Sequence, residues 1–153
     1  MRIHAASSAD LDDLTWLFAG YLQFYREDKS LAAIREFLAA RLSRADSVLF
    51  LARDSQGRAL GFVQLYPFHA SLALQPAWLL SDLYVLEAAR RQGAGAALMN
   101  AARAHAETTG ACGLQLQTAK SNLAGQALYE RLGYMRDELF HTYWLDLPPP
   151  RGD

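Results

Sequence analysis

The chain has one cysteine, Cys112, in 153 residues. A lone thiol closes no internal disulfide, and no Cys/His spacing suits zinc, so no metal is expected. Cys112 falls in "ACGLQLQ", an alternating stretch read as a strand, and is expected to be a small core residue. Lysine is nearly as scarce: Lys29 and Lys120 stand against thirteen arginines, an imbalance that genome base composition explains as well as anion binding does. The net charge of -1 lacks the basic excess of a nucleic-acid-binding surface. No run of about 18 apolar residues is present to span a membrane. The opening "MRIHAASSADLDDL" meets acidic residues where a signal peptide needs its apolar region. The expectation is a cytoplasmic protein with no nucleic-acid or membrane partner. Internal repeats, linkers and low-complexity segments are also missing, so one domain is expected over residues 1–147. Residues 148–153 form a C-terminal tail, in which "RGD" carries no motif meaning.

What is present is regular patterning. "RIHA" reads as a strand and "SSAD" as a helix N-cap. Leu11, Leu14, Leu17, Phe18, Tyr21, Leu22 and Tyr25 then recur at helical spacing. Leu31, Ile34, Leu38 and Leu42 mark a second helix. "SVLFLAR" and "ALGFVQLYPF" are strands about the turn "DSQGR", and "AWLLSDLYVL" is the next strand. After it comes "RRQGAGAALM", opening a helix with Ala94, Ala97, Leu98, Ala101 and His105 on its predicted packing face. "CGLQLQTA" is a strand, "NLAGQALYERLG" a helix, and "HTYWLDL" a last strand. The order β-α-α-β-β-β-α-β-α-β predicts an α/β (α+β) fold, a mixed central sheet with helices on both faces.

A glycine-rich strand-to-helix junction suits a phosphate, because the helix start has unpaired N–H groups and glycine lets the backbone approach closely. The P-loop spacing is excluded, since no Gly-Lys pair follows. The dinucleotide fingerprint fits Gly93 and Gly95 but meets Leu98 at its third position, and no opening βαβ unit precedes it. What remains is Arg90-x-x-Gly93-x-Gly95. With "LLSDLYVLEAARRQGAGAALMNAARAHA" around it and "TAKSNLAGQALYERLGYM" downstream, the chain resembles the GNAT superfamily of N-acetyltransferases, along roughly residues 1–147.

That resemblance implies acetyl-CoA as acyl donor and a primary amine as acceptor, in a ternary complex with direct attack. It implies that the backbone of Leu83, Tyr84 and Val85 pairs with the pantetheine arm. The amides of Arg90, Arg91, Gln92, Gly93, Ala94 and Gly95 would cradle the pyrophosphate, and Asn122 would hydrogen-bond the cofactor arm. Acetyl transfer needs a neutral amine, a stabilised oxyanion and a proton for the leaving thiolate. Tyr129, in the family's "LYE" position, is the implied general acid, since a phenol at about 10 lies above a thiol at about 8.5. The N–H of Val85 or its neighbour would serve the oxyanion. The base is open. Diamine acetyltransferases of the superfamily carry Glu where this chain has Ser81. Asp82 is the side-chain candidate, although simple alternation turns it away from Ser81 unless a bulge intervenes. A water chain is the alternative, and Glu87 reads as a solvated loop residue.

For the acceptor, Tyr21, Phe24, Tyr25, Glu27 and Asp28 offer aromatic walls and two carboxylates suited to a cationic amine, with Trp78 and His69 near the pocket. Tyr21 and Tyr25 equally suit a core-facing stripe, and Glu27 and Asp28 an exposed helix end. His4, His105 and His141 form no constellation, and His105 is expected in the core. Within the superfamily the chain looks closest to the polyamine and small-amine acetyltransferases, and a homodimer is expected. Two rivals stand beside this reading: a catalytically silent acyl-CoA-binding sensor, and acetylation of a protein or peptide amine. The presence of Tyr129 and Asn122 favours an enzyme over the sensor.

Overall fold

The computed structural model describes residues 1–150; the "RGD" of the tail lies outside them. The chain falls into two compact units, Met1–Gln117 and a second beginning at Thr118.

The first unit holds β1 (Arg2–Ala5), α1 (Leu11–Phe24), α2 (Leu31–Arg44), β2 (Val48–Arg53), β3 (Ala59–Ala70), β4 (Gln75–Val85), α3 (Ala94–Thr108) and β5 (Leu114–Leu116). The strands form one sheet in the order β1-β2-β3-β4-β5. The first three pairings are antiparallel and β4–β5 is parallel, so the sheet is mixed, as the element order predicts. Ser7 and Asp10 start the α1 segment by a capping exchange, with the Ser7 amide donating to Asp10 Oδ2 at 2.9 Å. Ser30 caps α2 by accepting from the Ala33 amide. Asp54 closes the β2–β3 turn by accepting from the amides of Gln56 and Arg58.

Strand alternation divides the core. Leu14, Leu17 and Phe18 of α1, Ile34 and Leu38 of α2, Leu49 and Leu51 of β2 and Phe62 of β3 form one buried cluster. Fully burying each such side chain contributes about 1.5–3 kcal/mol. Val63 and Leu65 of β3 and Leu80 of β4 are buried on the opposite face, toward α3. The buried stripe of α3 is Ala94, Leu98, Met99, Ala102 and Ala106, which is rotated from the predicted face by the inclusion of Met99 and Ala102. His105 sits at its margin, its ring 4.9 Å from Trp78 and 5.8 Å from Phe50.

Two expectations are corrected. Cys112 is exposed: β5 spans only Leu114–Leu116, so Cys112 precedes the strand and only its amide is engaged, on the Pro76 carbonyl. The second unit contains α4 (Leu123–Arg131), but "HTYWLDL" forms no strand among the described residues. A strand exists by pairing, and this stretch has no pairing partner; Phe140, Tyr143, Trp144, Leu145 and Leu147 are all exposed.

Candidate active site

β4 changes character halfway along. Leu80 lies opposite Leu65 and Asp82 lies opposite Gln64, so Ser81 is an extra residue, a β-bulge. The bulge sets Asp82 opposite Gln64, on the α1/α2 face with Phe62 and Tyr84. Parallel pairing with β5 covers Trp78, Leu79 and Leu80 and goes no further. From Ser81 to Val85 the β5-side edge of β4 pairs with no strand among the described residues. These are the strand positions, Leu83, Tyr84 and Val85, expected to pair with an extended ligand.

β4 runs on through a short 3-10 turn, Glu87–Ala89, into the glycine loop. Arg91 and Gly93 both have positive φ, 65° and 88°, a conformation that glycine adopts at no steric cost and arginine does not. The Arg90 amide bonds the Glu87 carbonyl and the Ala97 amide bonds Gly93, while the amides from Arg91 to Gly95 bond no carbonyl among the described residues. Unpaired N–H groups at a helix start suit an anion. Of the predicted cradle, only the Arg90 amide is engaged.

The Arg90 side chain is turned back on the strand. Its Nε donates to the Val85 carbonyl at 3.0 Å, and its guanidinium lies 5.7 Å from the Phe24 ring centroid and 5.9 Å from that of Tyr84. Gln92 reaches back to the Ala88 carbonyl.

On the α1/α2 face, the Asp82 carboxylate accepts from Gln64 Nε2 at 2.8 Å, and Gln64 Oε1 accepts from Ser47 Oγ at 2.8 Å. Tyr66, two residues along β3, has its phenol pushed up to about 12 by burial and by the charge on Asp82. The Arg41–Asp46 ion pair, at 2.8 Å, borders the same tyrosine. None of Gln64, Ser47 and Tyr66 was singled out by the sequence patterns. The available signal was a glutamine inside the apolar run "GFVQLYPF".

The predicted acceptor residues separate. Tyr25 is in ring contact with both Tyr21 and Phe24, and Tyr21 also meets Tyr84 and Phe62. Glu27 and Asp28 are exposed beyond the end of α1. Trp78 lies on the other face, against α3, with its indole N–H donating to Thr109. A cationic guanidinium already stands over Phe24 and opposes a second cation there.

In the second unit Asn122 caps α4. Its Oδ1 accepts from the Gly125 amide and its Nδ2 donates to Thr118 Oγ1, each at 3.1 Å. A Cβ at Gly125 would stand 2.5 Å from Asn122 Nδ2, so a larger residue there displaces the Asn122 side chain. Tyr129 lies on α4 with its ring 6.3 Å from that of Tyr134. Among the described residues no cluster of His, Cys, Asp and Glu could hold a metal, and no helix is long and apolar enough to cross a membrane.

Comparison with known proteins agrees with this geometry. Residues 11–134 match the Acetyltransferase (GNAT) family. An uncharacterized N-acetyltransferase of Bacillus subtilis, YhfO, is 38% identical over 148 residues, covering 97% of this chain and 99% of that protein. The crystal structure of a probable acetyltransferase superposes with a TM-score of 0.91 at 38% identity, covering 98% of this chain and 100% of that one. An aminoglycoside N(6')-acetyltransferase type 1 of Klebsiella aerogenes is 33% identical over 103 residues, 66% of this chain and 67% of that enzyme.

Proposed function

The chain belongs to the GNAT family of acetyltransferases, and on that premise we propose that it moves the acetyl group of acetyl-CoA to the primary amine of a small molecule, by direct attack in a ternary complex. The observation that carries this reading is the end of β4–β5 pairing at Leu80, beside the Ser81 bulge and ahead of a loop of unpaired amides. An extended arm fits the β4 edge at Leu83, Tyr84 and Val85. A pyrophosphate fits the amides from Arg91 to Gly95. Asn122 keeps one amide hydrogen for the arm beyond the one given to Thr118.

Asp82 takes the proton that the amine must lose to become a nucleophile, and Tyr129 gives its phenol proton to the departing thiolate. Each such proton transfer is worth about 10²–10⁴ in rate. The acceptor lies on the α1/α2 face, where Asp82, Tyr84 and Tyr21 share one side of the sheet. An enzyme named for acetylating aminoglycosides among the relatives supports a small-molecule amine. Residues 1–147 act as one acetyltransferase domain in the cytoplasm. The apolar surface of Phe140, Tyr143 and Trp144 supports a homodimer, which sedimentation tests directly.

The test is release of free CoA from acetyl-CoA with a panel of polyamines, aminoglycosides, amino acids and an N-terminal peptide, for wild type and Tyr129→Phe. Turnover with a small amine and its collapse in Tyr129→Phe with CoA affinity kept is the expected result. Turnover on the peptide alone replaces the small-molecule acceptor. CoA binding with no turnover on any amine leaves a sensor.

A further inference from the structure

We infer that Gln64 is a positioning residue for Asp82, aiming its carboxylate through a relay anchored at Ser47. The inference rests on the reading of Asp82 as the base.

Gln64 is 0% exposed, in the middle of β3 between Val63 and Leu65, which are equally buried. A primary amide at such a place costs about 1–3 kcal/mol unless both its ends are bonded, and a leucine would serve packing alone. Both ends are bonded. A carboxylate only accepts, so Gln64 must turn its Nε2 to Asp82 and its Oε1 to Ser47, and the Ser47 hydroxyl must then donate. The carboxylate thus fixes which way round the amide lies, and the hydroxyl, able to donate or accept, anchors the far end. With Oδ2 of Asp82 taken by Gln64, Oδ1 is the oxygen left to face the acceptor or a water.

The register makes the relay possible. Asp82 stands opposite Gln64 only because Ser81 is an extra residue in β4. Tyr66 of β3, Arg41 of α2 and Asp46 just beyond α2 stand nearby, Arg41 being paired with Asp46 and bonded to Tyr66, and Tyr84 lies two residues along β4 on the same face. Among the described residues Gln64 Nε2 is the donor on this carboxylate.

The experiment measures kcat for the amine and the KM for acetyl-CoA in wild type, Gln64→Leu, Ser47→Ala, Ser47→Thr and Asp82→Asn. In Gln64→Leu kcat is expected to fall about tenfold, equivalent to about 1.4 kcal/mol, while the KM for acetyl-CoA does not change. Ser47→Ala lowers kcat by less, Ser47→Thr, which keeps the hydroxyl, restores it, and this pair carries the same measurement if Gln64→Leu fails to fold. A kcat kept in the folded Gln64 and Ser47 variants but lost in Asp82→Asn overturns the inference. A kcat kept in Asp82→Asn removes Asp82 from the role of base, and the inference with it.

Discussion

Arg90 Nε donates to the carbonyl of Val85 at 3.0 Å, tying the first residue of the glycine motif to the last residue of β4. The same guanidinium lies over Phe24 and Tyr84, so one side chain links the loop, the strand and α1. Removing it in Arg90→Ala frees the loop from its anchor. The KM for acetyl-CoA is expected to rise about tenfold, equivalent to about 1.4 kcal/mol, with thermal stability little changed. An unaltered KM would show that the loop holds its shape without this tie.

Gly93 and Gly57 form a matched pair. Both have positive φ, 88° and 81°, and a Cβ at either meets nothing within 4 Å. Alanine at either position therefore costs the left-handed conformation alone, about 1–2 kcal/mol. Only at Gly93 does the new methyl group fall within the run of amides, Arg91 to Gly95, that bond no carbonyl among the described residues. Gly93→Ala is expected to weaken CoA binding at least tenfold, measured by calorimetry, while Gly57→Ala loses similar stability and binds CoA as wild type does. Equal losses of affinity in both would sink the loop assignment.

Arg53 gives an acid-dependent contribution to stability. Its Nη2 bonds Asp10 Oδ1 at 2.7 Å and its Nη1 bonds Asp13 Oδ2 at 2.8 Å. Burial pushes the Asp10 carboxyl up, but the Ser7 amide and the Arg53 guanidinium outweigh it and hold the group below the usual carboxylate range. A depressed folded value means stability that is present above the unfolded pKa and is lost as pH falls through the folded one. Asp10→Asn is expected to cost about 1–2 kcal/mol at pH 7 in urea unfolding, and the gap to wild type should close below about pH 4. A gap that persists to pH 2 would assign the loss to packing.

Tyr66 acts at the other end of the scale. Burial and the charge of Asp82 push its phenol up to about 12. The folded chain therefore keeps a proton between about pH 10 and 12 that the unfolded chain releases, so this contribution is whole below pH 10 and fades above it. The ultraviolet titration of wild type minus Tyr66→Phe should show one phenol ionising near pH 12. A difference centred at pH 10 would refute the burial argument.

Much of this was legible in the sequence because it depends on local spacing. Arg90-x-x-Gly93-x-Gly95 encodes a backbone shape, and the 3.6-residue recurrence of Leu14, Leu17 and Phe18 encodes a buried face. The bulge was raised as the condition for Asp82 to turn, but its place was not legible, since Ser81 fits the strand alternation as well as any neighbour and pairing with β3 is what shows it to be extra. Trp78 was misplaced for the same reason: its face depends on which side of the bulge it precedes. "HTYWLDL" has strand composition, yet composition supplies no partner edge. Cys112 failed as a core residue because β5 is only three residues long.

The bulge has one further consequence. Trp78 and Leu80 address α3, whereas Asp82 and Tyr84, of the same numerical parity, address α1 and α2. The extra residue at position 81 is what lets residues of one numerical parity serve both faces. Replacing Ser81 leaves it in place, whereas deleting it closes the ladder with Leu80 still opposite Leu65 and Asp82 still opposite Gln64. Such a deletion removes the bend of the strand and keeps the face of Asp82 and Tyr84, so it separates what the bend does from what the carboxylate does.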